Sequence, residues 1–286
     1  MKNTVSILGC GWLGQALGQL LISRGYKVFG STRTKNGLQR LNELGIEGIK
    51  LELTPELTGH DLDRFFQCDT FVVSLPPNIR DDQTAFFDAQ IQSLLKALNR
   101  SPVQQALFIS STSVYSTLDR PICEPDAKHP PTPSGNALLR AEQVIAECPT
   151  FKTTIVRFGG LAGYDRHPQR LLNRGFSRDV HQPLNIIHQD DASQILTRII
   201  EKNVWGETFN ACAPLHPLRK QYYAKAFKLK QLPMPQFPGR STCKGIKVIS
   251  SRKVMEQLQF TFKYPNPLQM LEIPEAWSQK KFIVQL

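Results

Sequence analysis

The sequence predicts an α/β fold: a doubly wound parallel sheet followed by a smaller C-terminal domain. Three observations carry this. The chain opens on an apolar, β-branched run, TVSIL, that passes through glycines into a helical pattern. Strand-like and helix-like segments then alternate to about residue 160. Beyond that the rhythm changes to short strands and helices. The 286 residues accommodate two such parts, and the boundary is expected at 160/161, giving domains over 1–160 and 161–286 with strand and helix crossovers from the second to the first.

After TVSIL, apolar residues recur at Trp12, Leu13, Ala16, Leu17, Leu20 and Leu21, which is helical spacing. The turn between strand and helix holds Gly9, Gly11 and Gly14 in G-x-G-x-x-G order. Gly9 allows the tight turn, Gly11 lets the backbone approach a pyrophosphate at the helix N-terminus, and Gly14 lets helix and strand pack closely. With Trp12 and Leu13 these are candidate dinucleotide-binding residues. The next strand, YKVFGSTR, ends on Ser31, Thr32 and Arg33. NAD-preferring folds place an acid at this point, about 20 residues past the glycines, for the ribose hydroxyls. A guanidinium beside hydroxyls instead holds a 2′-phosphate by charge-assisted hydrogen bonds, so the cofactor expected is NADP rather than NAD, with Lys35 as a helper. Further strands are expected at 48–53, 70–76, 105–110 and 152–159, and helices around 36–44, 81–99 and 137–147. The proline-rich connection 118–134 reads as a functional loop. The second domain is expected to contain strands in LNIIH and ETFNACA, a helix over 217–231, a strand over 246–250 and helices over 251–258 and 267–277, the last kinked or ended by Pro274.

Composition is that of a globular protein, 41% apolar and 21% charged. The six cysteines stand singly, without metal-ligand spacing, and read as reduced thiols of a cytoplasmic protein, Cys243 being the most exposed. The opening apolar stretch is too interrupted by Gly and Gln to span a membrane. The net charge of +11 is concentrated after Leu215, where 13 Lys and Arg face Glu256, Glu272 and Glu275. That distribution suits either a solvated face or a surface attracting a small anionic substrate. No zinc-finger or RNP motif accompanies it, which argues against nucleic acid. His188, Asp190 and Asp191 read as a strand end and a helix cap rather than metal ligands, so no metal site is expected.

GCGWLG, FISSTSVY, RFGGLAGYDR and NIIHQDDASQI together resemble the extended short-chain dehydrogenases/reductases, the NAD(P)-dependent epimerase/dehydratase group, and within it a divergent bacterial branch. The resemblance covers nearly the whole chain and implies a Rossmann domain with a substrate domain behind it. It implies that Ser111 hydrogen-bonds the substrate hydroxyl or carbonyl, that Leu75 and Pro76 of SLPP pass the cofactor's ribose and diphosphate, and that Glu52 contacts adenine. Arg166 and His167 fall where the group places substrate and nicotinamide contacts. Two departures bear on activity. Thr112 and Ser113 replace the Asp-Glu of the dehydratases, and neither exchanges protons near neutral pH. Ser134 and Leu138 stand where the group's Y-x-x-x-K pair belongs, with Arg140 two positions beyond, and no Y-x-x-x-K occurs within 115–170. An NADP-dependent oxidoreductase or epimerase-like enzyme then needs another proton source, Tyr164 or water. The alternative is a protein of this fold that senses NADP(H) without turnover.

Overall fold

The computed structural model describes residues 3–77, 84–168, 179–234, 236–237 and 245–278. Cys243 and Lys244 lie outside these residues, as do 81–83 at the head of the helix expected over 81–99. The elements run β1 (Thr4–Leu8), α1 (Trp12–Ser23), β2 (Lys27–Thr32), α2 (Lys35–Glu43), β3 (Glu47–Leu53), β4 (Leu57–Gly59), α3 (Leu62–Phe66), β5 (Thr70–Val73), α4 (Thr84–Leu98) and β6 (Gln105–Ser111). Then follow α5 (Pro133–Ala146), β7 (Lys152–Phe158), β8 (Gly160–Ala162), β9 (Ile186–His188), α6 (Gln189–Glu201), β10 (Thr208–Ala211), α7 (Arg219–Leu229), α8 (Arg252–Gln257) and α9 (Pro267–Met270).

The fold is the mostly parallel Rossmann type. Eight strands lie in the order β10-β7-β6-β5-β1-β2-β3-β4. β1 pairs in parallel with both β2 and β5, at Val5↔Val28 and Val5↔Thr70, and β4 folds back antiparallel on β3. The chain builds outward from β1 to β3 and β4, then restarts at β5 on the other side of β1. In such sheets this reversal opens a crevice at the carboxyl ends of the two central strands. Ile7, Val72, Leu107 and Val156 are fully buried, as a parallel sheet covered on both faces requires.

Two compact units result, neither continuous in sequence. The first runs to Ser116 and takes in Glu124–Arg157 and Ser193–Phe209; the second takes in Thr117–Cys123, Phe158–Ala192 and the chain from Asn210. The core of the second is built on Ile186, Tyr222, Phe227, Tyr264 and Met270. β8 and β9 form its two-stranded parallel sheet.

Several sequence expectations shift in the fold. α5 begins at Pro133 rather than 137, because Thr132 Oγ1 accepts from Gly135 N at 3.1 Å and proline suits the first helical position. The segment 246–250 forms isolated bridges, Leu118↔Ile246 and Ile122↔Ile249, instead of a strand. Three further backbone groups are met by side chains: Lys247 N donates to Gln182 Oε1, Asn185 Nδ2 to the Lys247 carbonyl, and Ile249 N to Asn185 Oδ1. The helix expected over 267–277 stops at Met270, and Pro274 starts a separate 3₁₀ turn ending at Ala276. No helix among the described residues is long and apolar enough to cross a membrane.

Candidate functional site

A cavity of about 580 Å³ opens in the first unit where β1, β2 and β5 end, within the size range of ligand pockets, roughly 300–1,000 Å³. Gly9, Gly11, Ser31, Thr32, Arg33, Leu75 and Pro76, all expected at a cofactor site, line it. Gly9 has φ +75°, and a Cβ there would stand 2.4 Å from the Ser74 carbonyl oxygen, so only glycine fits this turn. A Cβ at Gly11 would meet nothing nearer than 3.9 Å, leaving the approach to the N-terminus of α1 open. Gly14 instead lies beneath, where a side chain would press on Ile7 and Cys10. Buried Ser31 locks the turn to β2: its Oγ accepts from Gly9 N at 2.8 Å and its carbonyl from Cys10 N at 3.1 Å. Burial pushes the Cys10 thiol up to about 12, which keeps it protonated beside the turn.

Trp12 and Leu13 form the first turn of α1, Leu13 buried in the core. Glu52 is exposed, while its neighbours Leu51 and Leu53 are buried and line the cavity, as strand alternation dictates. Sequence reasoning missed Leu51, Leu53 and Thr54, and also Phe86 and Gln90 of α4, which complete the wall. The period-two burial of β3 was a readable signal for the leucines; nothing local marks the α4 residues. These features fit a dinucleotide: an open helix N-terminus for pyrophosphate, a polar end of β2 for ribose, and Arg33 as the charged residue among the described lining.

Ser111 ends β6, half-buried, and its Oγ accepts from Ser113 N at 3.1 Å, capping the 3₁₀ turn Thr112–Val114. Its hydroxyl hydrogen remains for another acceptor. A Cβ at Gly135 would stand 2.5 Å from the Ser113 carbonyl oxygen, so the first turn of α5 is pressed against this motif. Ser134 is half-buried and 3.3 Å from Thr132 Oγ1, while Leu138 is buried. Arg140 points outward and pairs with Asp88 at 2.8 Å. Beneath the motif lies a buried network that sequence reasoning did not find. Glu142 takes Arg157 through Nε at 3.0 Å and Nη2 at 2.6 Å, and accepts from Ser110 Oγ. Arg157 Nη1 also donates to Tyr115 Oη at 2.6 Å and to the Glu124 carbonyl at 2.7 Å. The residues flanking Ser111–Val114 are therefore both held by one ion pair.

Tyr164 belongs to the second unit and Ser111 to the first. It sits at φ +47° and donates to Asp190 Oδ1 at 2.5 Å, while Lys263 Nζ lies 2.8 Å from Asp190 Oδ2. Burial, then the bond to Asp190 and its charge, raise the Tyr164 phenol well above its ordinary range. His188 is buried: Asp190 N donates to Nδ1 at 3.0 Å, so Nε2 carries the hydrogen given to the Ala276 carbonyl at 2.9 Å. His167 packs on Trp277 at 4.6 Å between ring centroids, and burial, helped by Lys230, pushes it down to about 4. Parts of the basic region are spent within the unit, Arg219 on the Asp179 carbonyl and Lys225 on Glu272.

Asp191, expected as a helix cap, accepts from Lys263 N at 2.7 Å and Tyr264 N at 3.0 Å. Burial outweighs these bonds and pushes its carboxyl up to about 6. The folded state thus holds this proton more tightly than the unfolded chain, whose ordinary value is 3.8. The resulting stabilisation is full below about pH 4 and is lost as pH rises through about 6, worth at most about 3 kcal/mol. Urea titrations at pH 5 and 7 should show this decline in the native chain and a flatter profile in Asp191→Asn; an unchanged profile would assign it elsewhere.

Residues 5–212 match the NAD dependent epimerase/dehydratase family. Protein YeeZ of Escherichia coli (strain K12) is 31% identical over 268 residues, 93% of this chain and 98% of its own length. A functionally unknown conserved protein from Silicibacter pomeroyi superposes with TM-score 0.75 at 21% identity, over 96% of this chain and 100% of its own. UDP-glucuronic acid 4-epimerase from Bacillus cereus, solved in complex with NAD, superposes with TM-score 0.76 at 18% identity, over 96% and 97%. From the glycine turn through β10, then, sequence and fold agree, and the chain belongs to the NAD dependent epimerase/dehydratase family.

Proposed function

We propose that this chain binds NADP(H) in preference to NAD(H) and acts with it as an oxidoreductase or epimerase-like enzyme on a small anionic, sugar-derived substrate. The observation that carries the cofactor choice is Arg33 at the mouth of β2 in a cavity whose described lining includes no carboxylate. A 2′-phosphate gains charge-assisted hydrogen bonds there and meets no repulsion. Gly9, Gly11 and the first turn of α1 hold the pyrophosphate, and Leu75 and Pro76 border its ribose. When bound, the nicotinamide supplies hydride chemistry. Ser111 donates its remaining hydroxyl hydrogen to the substrate oxygen. The similar Bacillus cereus protein takes its name from UDP-glucuronic acid, an anionic nucleotide sugar, which supports that substrate class. The unbridged thiols Cys10, Cys68, Cys148 and Cys212 support a cytoplasmic setting.

One observation favours the second reading, binding without turnover. Burial and Asp190 hold the Tyr164 proton on its oxygen, which makes it a weak acid, and neither Ser134 nor Leu138 transfers protons near neutral pH. Fluorescence titration of the native chain should give a lower Kd for NADPH than for NADH; equal values would reject the NADP reading. Adding nucleotide sugars to the protein loaded with oxidised NADP then separates the two readings, because only turnover changes the sugar: hydride passed from a sugar carbinol to the nicotinamide raises the reduced-nicotinamide absorbance, and its return to the other face gives an epimer that chromatography resolves.

A further inference from the structure

The cavity has one wall that the cofactor assignment leaves without a role. If the glycine turn takes the pyrophosphate and residues 31–33 the adenosine ribose, the base attached to that ribose must lie beyond them, toward the strand next to β2. That strand is β3, paired with β2 at Ser31↔Ile49 and Thr32↔Lys50, and its end presents Leu51 and Leu53 to the cavity. Gln90 of α4 donates its side-chain amide to the Leu53 carbonyl, which fixes this helix against the same strand end. Phe86 stands one helical turn before Gln90 and so shares its face. It lines the cavity and leaves 43% of its surface exposed, while its neighbour Phe87 is 2% exposed and belongs to the core. The open part of the ring borders a cavity end floored by leucines, where a flat apolar ligand group would cover it.

We propose that Phe86 is the platform on which the adenine ring of the dinucleotide stacks, Leu51 and Leu53 completing an apolar slot. Recognition of the base in this chain then rests on an aromatic face supplied by α4. The inference depends on the cofactor reading above, and the test separates them by using fragments of the cofactor. The full chain and its Phe86→Ala, Phe86→Leu and Phe86→Tyr variants are titrated with NADPH, with 2′,5′-ADP, which carries only the adenosine half, and with reduced nicotinamide mononucleotide, which lacks it. Loss of one base–aromatic stack weakens binding by about tenfold. Phe86→Ala and Phe86→Leu should lose about that factor for NADPH and 2′,5′-ADP, Phe86→Tyr should keep native affinity for both, and the mononucleotide should bind all four proteins alike. Native affinity of Phe86→Leu for 2′,5′-ADP, or a parallel loss of mononucleotide affinity, would overturn the platform. Failure of the native chain to bind any dinucleotide would overturn the cofactor reading and the platform with it.

Discussion

Replacing Glu142 with alanine should destabilise the protein by about 3–5 kcal/mol, because it strands a buried guanidinium. Glu142 is 2% exposed and Arg157 6%, so water cannot take over the lost partner. Arg157 would keep the Tyr115 hydroxyl and ring face and the Glu124 carbonyl, none of which carries a formal charge. Ser110 would lose its acceptor as well. Two milder variants calibrate the result. Tyr115→Phe removes a single bond and should cost about 1–3 kcal/mol. Arg157→Met with Glu142→Leu replaces both charges by apolar groups of similar bulk and should cost less than Glu142→Ala, since buried ion pairs are often matched by hydrophobic packing. Urea unfolding monitored by circular dichroism provides the comparison. A loss under about 1 kcal/mol for Glu142→Ala would mean that water or rearrangement reaches Arg157 and that the network does not fix the Ser111 turn.

Arg33→Asp should invert cofactor preference. On the NADP reading proposed above, the guanidinium adds charge-assisted hydrogen bonds to the 2′-phosphate, each worth about 1.5–3 kcal/mol. The carboxylate removes these and adds repulsion, so NADPH affinity should fall by about a hundredfold, the factor that a loss near 3 kcal/mol produces. NADH has ribose hydroxyls in place of that phosphate, and the new carboxylate can accept from them; its affinity should hold or improve. Arg33 is exposed at the cavity mouth, so the fold tolerates the change and the effect weakens as salt rises. Calorimetric titration at low and physiological ionic strength reads both quantities. Retained NADPH preference in Arg33→Asp would remove Arg33 from the cofactor site and leave Ser31 and Thr32 to account for it.

Much of this protein was legible in its sequence because the signals are local. A β-branched run, glycines at fixed spacing and an apolar period of 3.6 residues specify β1, the turn and α1 within about 20 residues, and Gly9 does occupy a turn that admits no side chain. Alternation of such segments specified the parallel sheet, and the place of Arg33 followed from where β2 ends. The misreadings occurred where distant partners decide. Residues 246–250 look like a strand, yet Gln182 and Asn185 take over the backbone groups that a neighbouring strand would have paired. Glu52 sits in a strand whose alternation was readable, but which face borders the cavity depended on the sheet's neighbours. Arg157 opened the quoted RFGGLAGYDR and Glu142 stood four residues after Leu138, both without a role until α5 and β7 brought them within 2.6 Å. Phe86 carried no mark at all, since an aromatic residue on an amphipathic helix ordinarily faces the core. Residue order alone set most strands and helices of the sheet and where the glycine turn opens, because those choices are made by neighbours within one turn or one pleat. Which buried charges meet, which backbone groups side chains satisfy and which aromatic ring lines the cleft were settled by the fold, because each depends on residues that only the assembled sheet and its helices bring together.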